Sequence, residues 1–132
     1  MLDLKMRKAF ENLVIRYRGI TIKDIIDIGF SGFYTFNGDE ILNVITGFGS
    51  CMCILCNTAN CVFSNEMKKR CSVCYIALNG KKCFEEENAY SYNNISKAST
   101  PEGLLIAINE RADHIELLLA EYDFRNKLAK EE

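Results

Sequence analysis

The sequence predicts an α+β protein, with one amphipathic helix at each end packed on a small central region of short hairpins and a four-cysteine knuckle. Three observations lead to this class. Apolar residues recur at helical spacing near both termini, Asn-Gly pairs punctuate short apolar runs in the middle, and six of the seven cysteines crowd into the window from Cys51 to Cys74.

Taken in order, Met6, Phe10, Leu13 and Tyr17 lie on one face with charged residues between them, which predicts a helix over residues 3–18 stopped at Gly19. Thr21 and Asp24 form a capping pair for a short helix in TIKDIIDI, ending before Gly29. In GFYTFNGDEILNVITGFG, residues 32–49, Asn37-Gly38 between two apolar runs is a hairpin signal, because both central turn residues take positive φ. Asp39 as the cap of a helix over 40–46 is the competing reading, and the hairpin is preferred. A second hairpin is expected in YIALNGKKCF around Asn79-Gly80, bringing Cys83 near Cys74. EEENAYSYNNISKAS, residues 85–99, reads as a loop. Ser99 and Glu102 then form a capping box around Pro101. Beyond it Leu105, Ile108, Ala112, Ile115, Leu119 and Tyr122 mark one face of a helix running towards residue 128. The apolar faces of the two terminal helices have no comparable partner except each other.

At 132 residues and 48% hydrophobic content, the chain has the size and apolar content of one domain, residues 1–132. A charged fraction of 26% and a single proline argue against disorder, and no apolar run reaches the roughly 18 residues of a membrane span. The charged N-terminus lacks the apolar core of a secretory signal, so the expected location is the cytoplasm. Thiols stay reduced there, and clustered Cys-x-x-Cys pairs are read as metal-binding or catalytic before they are read as disulfides.

CILC at 53–56 and CSVC at 71–74 are two such pairs with fourteen residues between them. Two thiolates so spaced reach one tetrahedral ion at about 2.3 Å each, and a second pair completes the shell. Cys53, Cys56, Cys71 and Cys74 are therefore the expected ligands of a structural Zn2+, with Cys83 as an alternative ligand. Such a site is closed, leaving no position for an activated water. Cys51 and Cys61 are read as small buried hydrophobes.

Catalytic readings are weaker. A dithiol oxidoreductase wants one reactive pair opening a helix. HIE at 114–116 follows both cysteine pairs, the reverse of the order in zinc nucleobase deaminases. His114, the single histidine, falls beside the apolar stripe and is expected at the surface or its boundary. GFGS at 47–50 lacks the Gly-Lys-Ser/Thr of a phosphate loop. No enzymatic activity is expected.

A net charge of −2 opposes a whole-protein nucleic-acid affinity. A local patch of Lys68, Lys69, Arg70, Lys81 and Lys82 leaves a nucleic-acid-binding zinc module, acting as a regulator, as the alternative function. The simpler reading of these cations is that they offset the −2 charge of four thiolates on a divalent ion.

CILC, CSVC, GKKC, the polar stretch containing Tyr90 and a closing helix with AINERADHIELLL together resemble small cysteine-rich, zinc-knuckle-like proteins found in bacteriophage genomes. The likeness spans roughly residues 53–122. It departs from the pattern in lacking a proline after the second pair and in the additional Cys51 and Cys61. The resemblance implies zinc binding and a phage origin and transfers no catalytic residue. The resulting expectation is a non-enzymatic protein in the host cytoplasm that binds and inhibits or redirects a host protein, such as a defence or nucleic-acid-processing machine. Residues 101–132 carry eight acidic against four basic residues, a charge suited to a basic groove.

Overall fold

A computed structural model describes residues 4–29, 38–46, 78–81 and 85–131 of the chain. Among them there are five helices and no strand: α1 (Leu4–Arg18), α2 (Ile22–Gly29), α3 (Gly38–Thr46), α4 (Glu86–Lys97) and α5 (Pro101–Glu131). The expected α+β class is therefore wrong for these residues, which form a helical assembly around one hydrophobic core.

α1 forms where its periodicity places it. Met6, Phe10, Leu13 and Tyr17 are all buried, and the Gly19 N–H closes on the carbonyls of Ile15 and Arg16 at 3.1 and 3.2 Å. Thr21 and Asp24 exchange hydrogen bonds as a capping box. The Thr21 N–H donates to the Asp24 carboxylate at 3.0 Å, and the Asp24 N–H donates to Thr21 Oγ1 at 3.2 Å. These bonds hold the Asp24 carboxyl below its usual range.

α5 runs for 31 residues, about 46 Å at 1.5 Å per residue, and α1, α2 and α4 pack on it. Its cap sits one residue later than expected. Thr100 Oγ1, not Ser99, accepts from the Gly103 N–H at 3.0 Å, with Pro101 in the first helical position. Ile108, Ala112, Ile115, Leu119 and Tyr122 are buried. α1 crosses α5 antiparallel, and a seam of ion pairs marks its course. Arg7 grips Asp123 with two bonds at 2.6 and 2.8 Å, while Arg18 reaches Asp113 at 2.7 Å and Glu116 at 2.9 Å.

Three local expectations are overturned. Gly38 is buried at the start of α3 instead of turning a hairpin, and the Asp39-led helix prevails over 38–46. Residues 32–37, the other arm of that hairpin, lie outside the described residues. The reason for a glycine is close approach. A Cβ at Gly38 would collide with the Ile95 carbonyl oxygen and sit 3.0 Å from Leu104 Cδ1. The second Asn-Gly pair also serves a helix: Leu78 and Asn79 are helical, and Gly80, at φ 76°, follows them in the left-handed conformation that ends helices. The expected loop over 85–99 is largely α4. Its buried residues Asn88, Ser91 and Ile95 do share a helical face, but two of the three are polar, so an apolar count passes over them.

The Gly38 contact is with backbone, which no rotamer change relieves. Gly38→Ala is expected to destabilise the protein by about 1–3 kcal/mol despite alanine's better helix propensity, read as a lower urea midpoint at unchanged m.

Candidate functional site

α4 and α5 form an antiparallel hairpin through residues 98–100, and its interior is polar at the end away from the turn. Arg111 is buried and donates to the Asn88 carbonyl oxygen and, at 2.9 Å, to Ser91 Oγ. Ser91 Oγ lies 2.6 Å from His114 Nδ1. The serine oxygen has two lone pairs, so it accepts from Arg111 and also shares a hydrogen bond with Nδ1 whose direction is set by the imidazole tautomer. Burial pushes His114 below its ordinary 6.5, the Arg111 charge acts in the same direction, and the Glu87 backbone and Glu121 offset this in part. The Tyr90 ring lies over the imidazole with centroids 4.5 Å apart.

The polar cluster continues outwards. Arg111 sits 5.7 Å from the centre of the Tyr92 ring, and the Tyr92 hydroxyl donates to Asp39 of α3. Asn88 and Asn79 exchange amide hydrogen bonds at 2.6 and 3.3 Å, and Asn88 also donates to the Lys81 carbonyl at 3.0 Å. Arg125 donates to the Leu78 carbonyl. One clasp thus joins α3, α4, α5 and the segment 78–81.

A serine hydroxyl on an imidazole is the pairing that activates nucleophiles. Here Ser91 is 1% exposed and its oxygen is already engaged by Arg111, so the pair locks the hairpin and does not present a hydroxyl to a substrate. His114 was expected at the surface or its boundary, and at 7% exposure that expectation fails. The cause is a second helix: α4 covers the flank of α5 next to the apolar stripe, and the stripe alone does not reveal it.

Of the residues singled out in the sequence, Cys53, Cys56, Cys71, Cys74 and Cys83 lie outside the described residues, as do Cys51, Cys61, Lys68, Lys69, Arg70 and Lys82. Among the described residues no cluster of His, Cys, Asp and Glu is arranged to hold a metal ion. Lys81 is described, and its Nζ lies 3.9 Å from Glu87. No described helix is long and apolar enough to cross a membrane.

The outer surface of the hairpin is different in kind. Tyr90 and Ile106 are exposed, and Glu86, Glu102 and Glu110 are exposed around them. No family model matches the chain, and no curated protein or solved structure matches it significantly.

A histidine held neutral by the fold binds a proton more readily once unfolded. Stability is therefore full above pH 6.5 and falls as the pH drops from 6.5 through the lower folded value, with a limiting slope of about 1.4 kcal/mol per pH unit. His114→Gln is expected to flatten that slope between pH 6.5 and 5, measured by urea unfolding at each pH. An unchanged slope would show that His114 is not its source.

Proposed function

We propose that the chain is a phage-encoded, non-enzymatic zinc protein that binds a host protein through the outer face of the α4–α5 hairpin and so inhibits or redirects it. The observation that carries this reading is the chemistry of that face. Exposed Tyr90 and Ile106 supply apolar anchors, and the exposed carboxylates of Glu86, Glu102 and Glu110 surround them. Of the cations nearby, Arg111 is buried in the clasp and Lys81 lies against Glu87, while Lys97 is exposed in the last turn of α4. Apolar anchors flanked mostly by carboxylates suit a basic protein surface better than a phosphate backbone. The sequence likeness to small phage proteins supports the phage origin and the zinc. Cys53, Cys56, Cys71 and Cys74 would hold the ion, with Cys83 as the alternative ligand, in a role confined to folding because four thiolates close the shell.

Two measurements test this reading. Protein purified without chelator is expected to carry about one zinc per chain, reduced in Cys53→Ser and Cys71→Ser, since either change opens the tetrahedral shell. Metal-free wild-type protein with an unchanged melting curve would remove the zinc assignment. For the partner, the tagged full chain is expected to retain a host protein in a salt-sensitive way. Tyr90→Ala with Glu110→Lys should weaken that capture at least tenfold, while helical content by circular dichroism stays the same. Capture undiminished by the double change, or replaced by nucleic acid, would reject this face.

A further inference from the structure

The segment 78–81 joins the clasp through an asparagine that is followed by glycine, and the asparagine side chain is held from both sides. The Lys81 N–H donates to Asn79 Oδ1 at 3.0 Å, and Asn88 Nδ2 donates to the same oxygen at 3.3 Å. A backbone N–H can only donate, so the atom facing Lys81 is the oxygen, and the Asn79 amide nitrogen is the atom 2.6 Å from Asn88 Oδ1. The bond to Lys81 is an Asx turn, which folds the side-chain carbonyl back over the following peptide, towards the Gly80 nitrogen. Gly80 is exposed at φ 76°, and nothing lies within 4 Å of where its Cβ would stand, so that peptide is uncrowded and open to water.

These are the parts that amide loss needs. Hydroxide removes the Gly80 N–H proton, and the nitrogen attacks Asn79 Cγ, so that a C–N bond forms and Oδ1 takes the negative charge. The two donors on Oδ1 stand where an oxyanion is stabilised. The Cγ–Nδ2 bond then breaks, water protonates Nδ2, and ammonia leaves with hydroxide regenerated and a succinimide ring in the chain. Addition of water to either ring carbonyl opens it to aspartate or to isoaspartate. Glycine after the asparagine puts no Cβ against the closing ring. The other Asn-Gly pair differs, because Gly38 is buried in α3 against the Ile95 carbonyl, which shields its peptide from water.

We propose that Asn79 is a self-modification site that deamidates in the folded protein, and that the product unfastens the segment 78–81 from α4. Aspartate has no donor at the atom facing Asn88 Oδ1, so two oxygens meet where a 2.6 Å hydrogen bond had been. Asn88 cannot answer by turning its amide over, because it is fully buried and its Nδ2 also donates to the Lys81 carbonyl at 3.0 Å. Isoaspartate goes further, since it lengthens the main chain between Leu78, whose carbonyl receives Arg125, and Lys81, whose carbonyl receives Asn88. The step runs one way once ammonia is lost, which makes it a timer on this end of the clasp.

Peptide mapping by mass spectrometry of the full chain, aged at mildly alkaline pH, tests the proposal. Aspartate and isoaspartate are expected at position 79, accumulating several-fold faster in the folded chain than in the same chain held in urea, where the two donors on Oδ1 are lost. Gly80→Ala, an exposed change outside the clasp interior, should slow the conversion at least tenfold. Asn79→Asp supplies one product directly, and it should raise deuterium uptake across residues 78–88 at least tenfold while uptake in α1 stays at the wild-type level. An Asn79 that keeps its amide while the urea-treated chain loses it, conversion unaffected by Gly80→Ala, or wild-type uptake in Asn79→Asp would each overturn the proposal. Neither measurement reads zinc content or capture of a host protein, so failure of the proposed function stays separate from failure here.

Discussion

Everything described in this molecule hangs on the need of one long helix to bury two flanks at once. α5 spans about 46 Å by its 31 residues, roughly twice the length of the 15-residue α1. Ile108, Ala112, Ile115 and Leu119 give it an apolar band, and Arg111 and His114 on the adjoining flank are also buried. No single neighbour covers so wide a band. α1 and α2 take one part and α4 takes another, and α3 enters by packing on α2 and α4. The order of helices around the core follows from which flank of α5 each one serves.

The two flanks are held by different physics. Against α1 the contact is apolar, with Phe10, Leu13 and Val14 buried, and the ion pairs lie at its rim. Half-exposed pairs of that kind contribute on the order of 0.2–1 kcal/mol, so they set direction and register more than they set stability. Against α4 the contact is polar and deep. Buried Asn88, Ser91, Arg111 and His114 satisfy one another, and the loss of one partner leaves the others desolvated without compensation. A slip of one turn in the hairpin would break every one of these bonds, which gives the α4–α5 pairing a single favoured register.

The clasp also decides what its chemistry is for. The Ser91–His114 geometry has the distance of a nucleophile and its base, but a buried arginine donor and a closed surface convert it into a fastening. Outside the clasp, α5 faces solvent with carboxylates on both sides of its exposed apolar residues, while α1 brings a basic edge. Folding against each other leaves the molecule electrically asymmetric at its surface even though its net charge is only −2.

α1, α2 and α5 were legible because period, caps and stop residues agree at those places: Met6 to Tyr17 on one face, the Thr21–Asp24 box, Pro101 ahead of a long stripe. Where those signals are mixed, local pattern misleads. Asn-Gly marks positive φ equally well for a hairpin turn and for a helix end, and Gly80 is the latter. Gly38 is needed for room beside the Ile95 carbonyl, a neighbour 57 residues away in sequence that no local window contains. α4 and the burial of His114 escape for a related reason. Hydrophobic periodicity equates polar with exposed, and that holds only when no other buried polar group is present to receive the hydrogen bonds. The sequence by itself determined which segments carry an apolar helical face and where three of the helices begin. Tertiary structure alone decided which polar residues go inside, because a polar side chain can leave water only when the fold brings its partner to it.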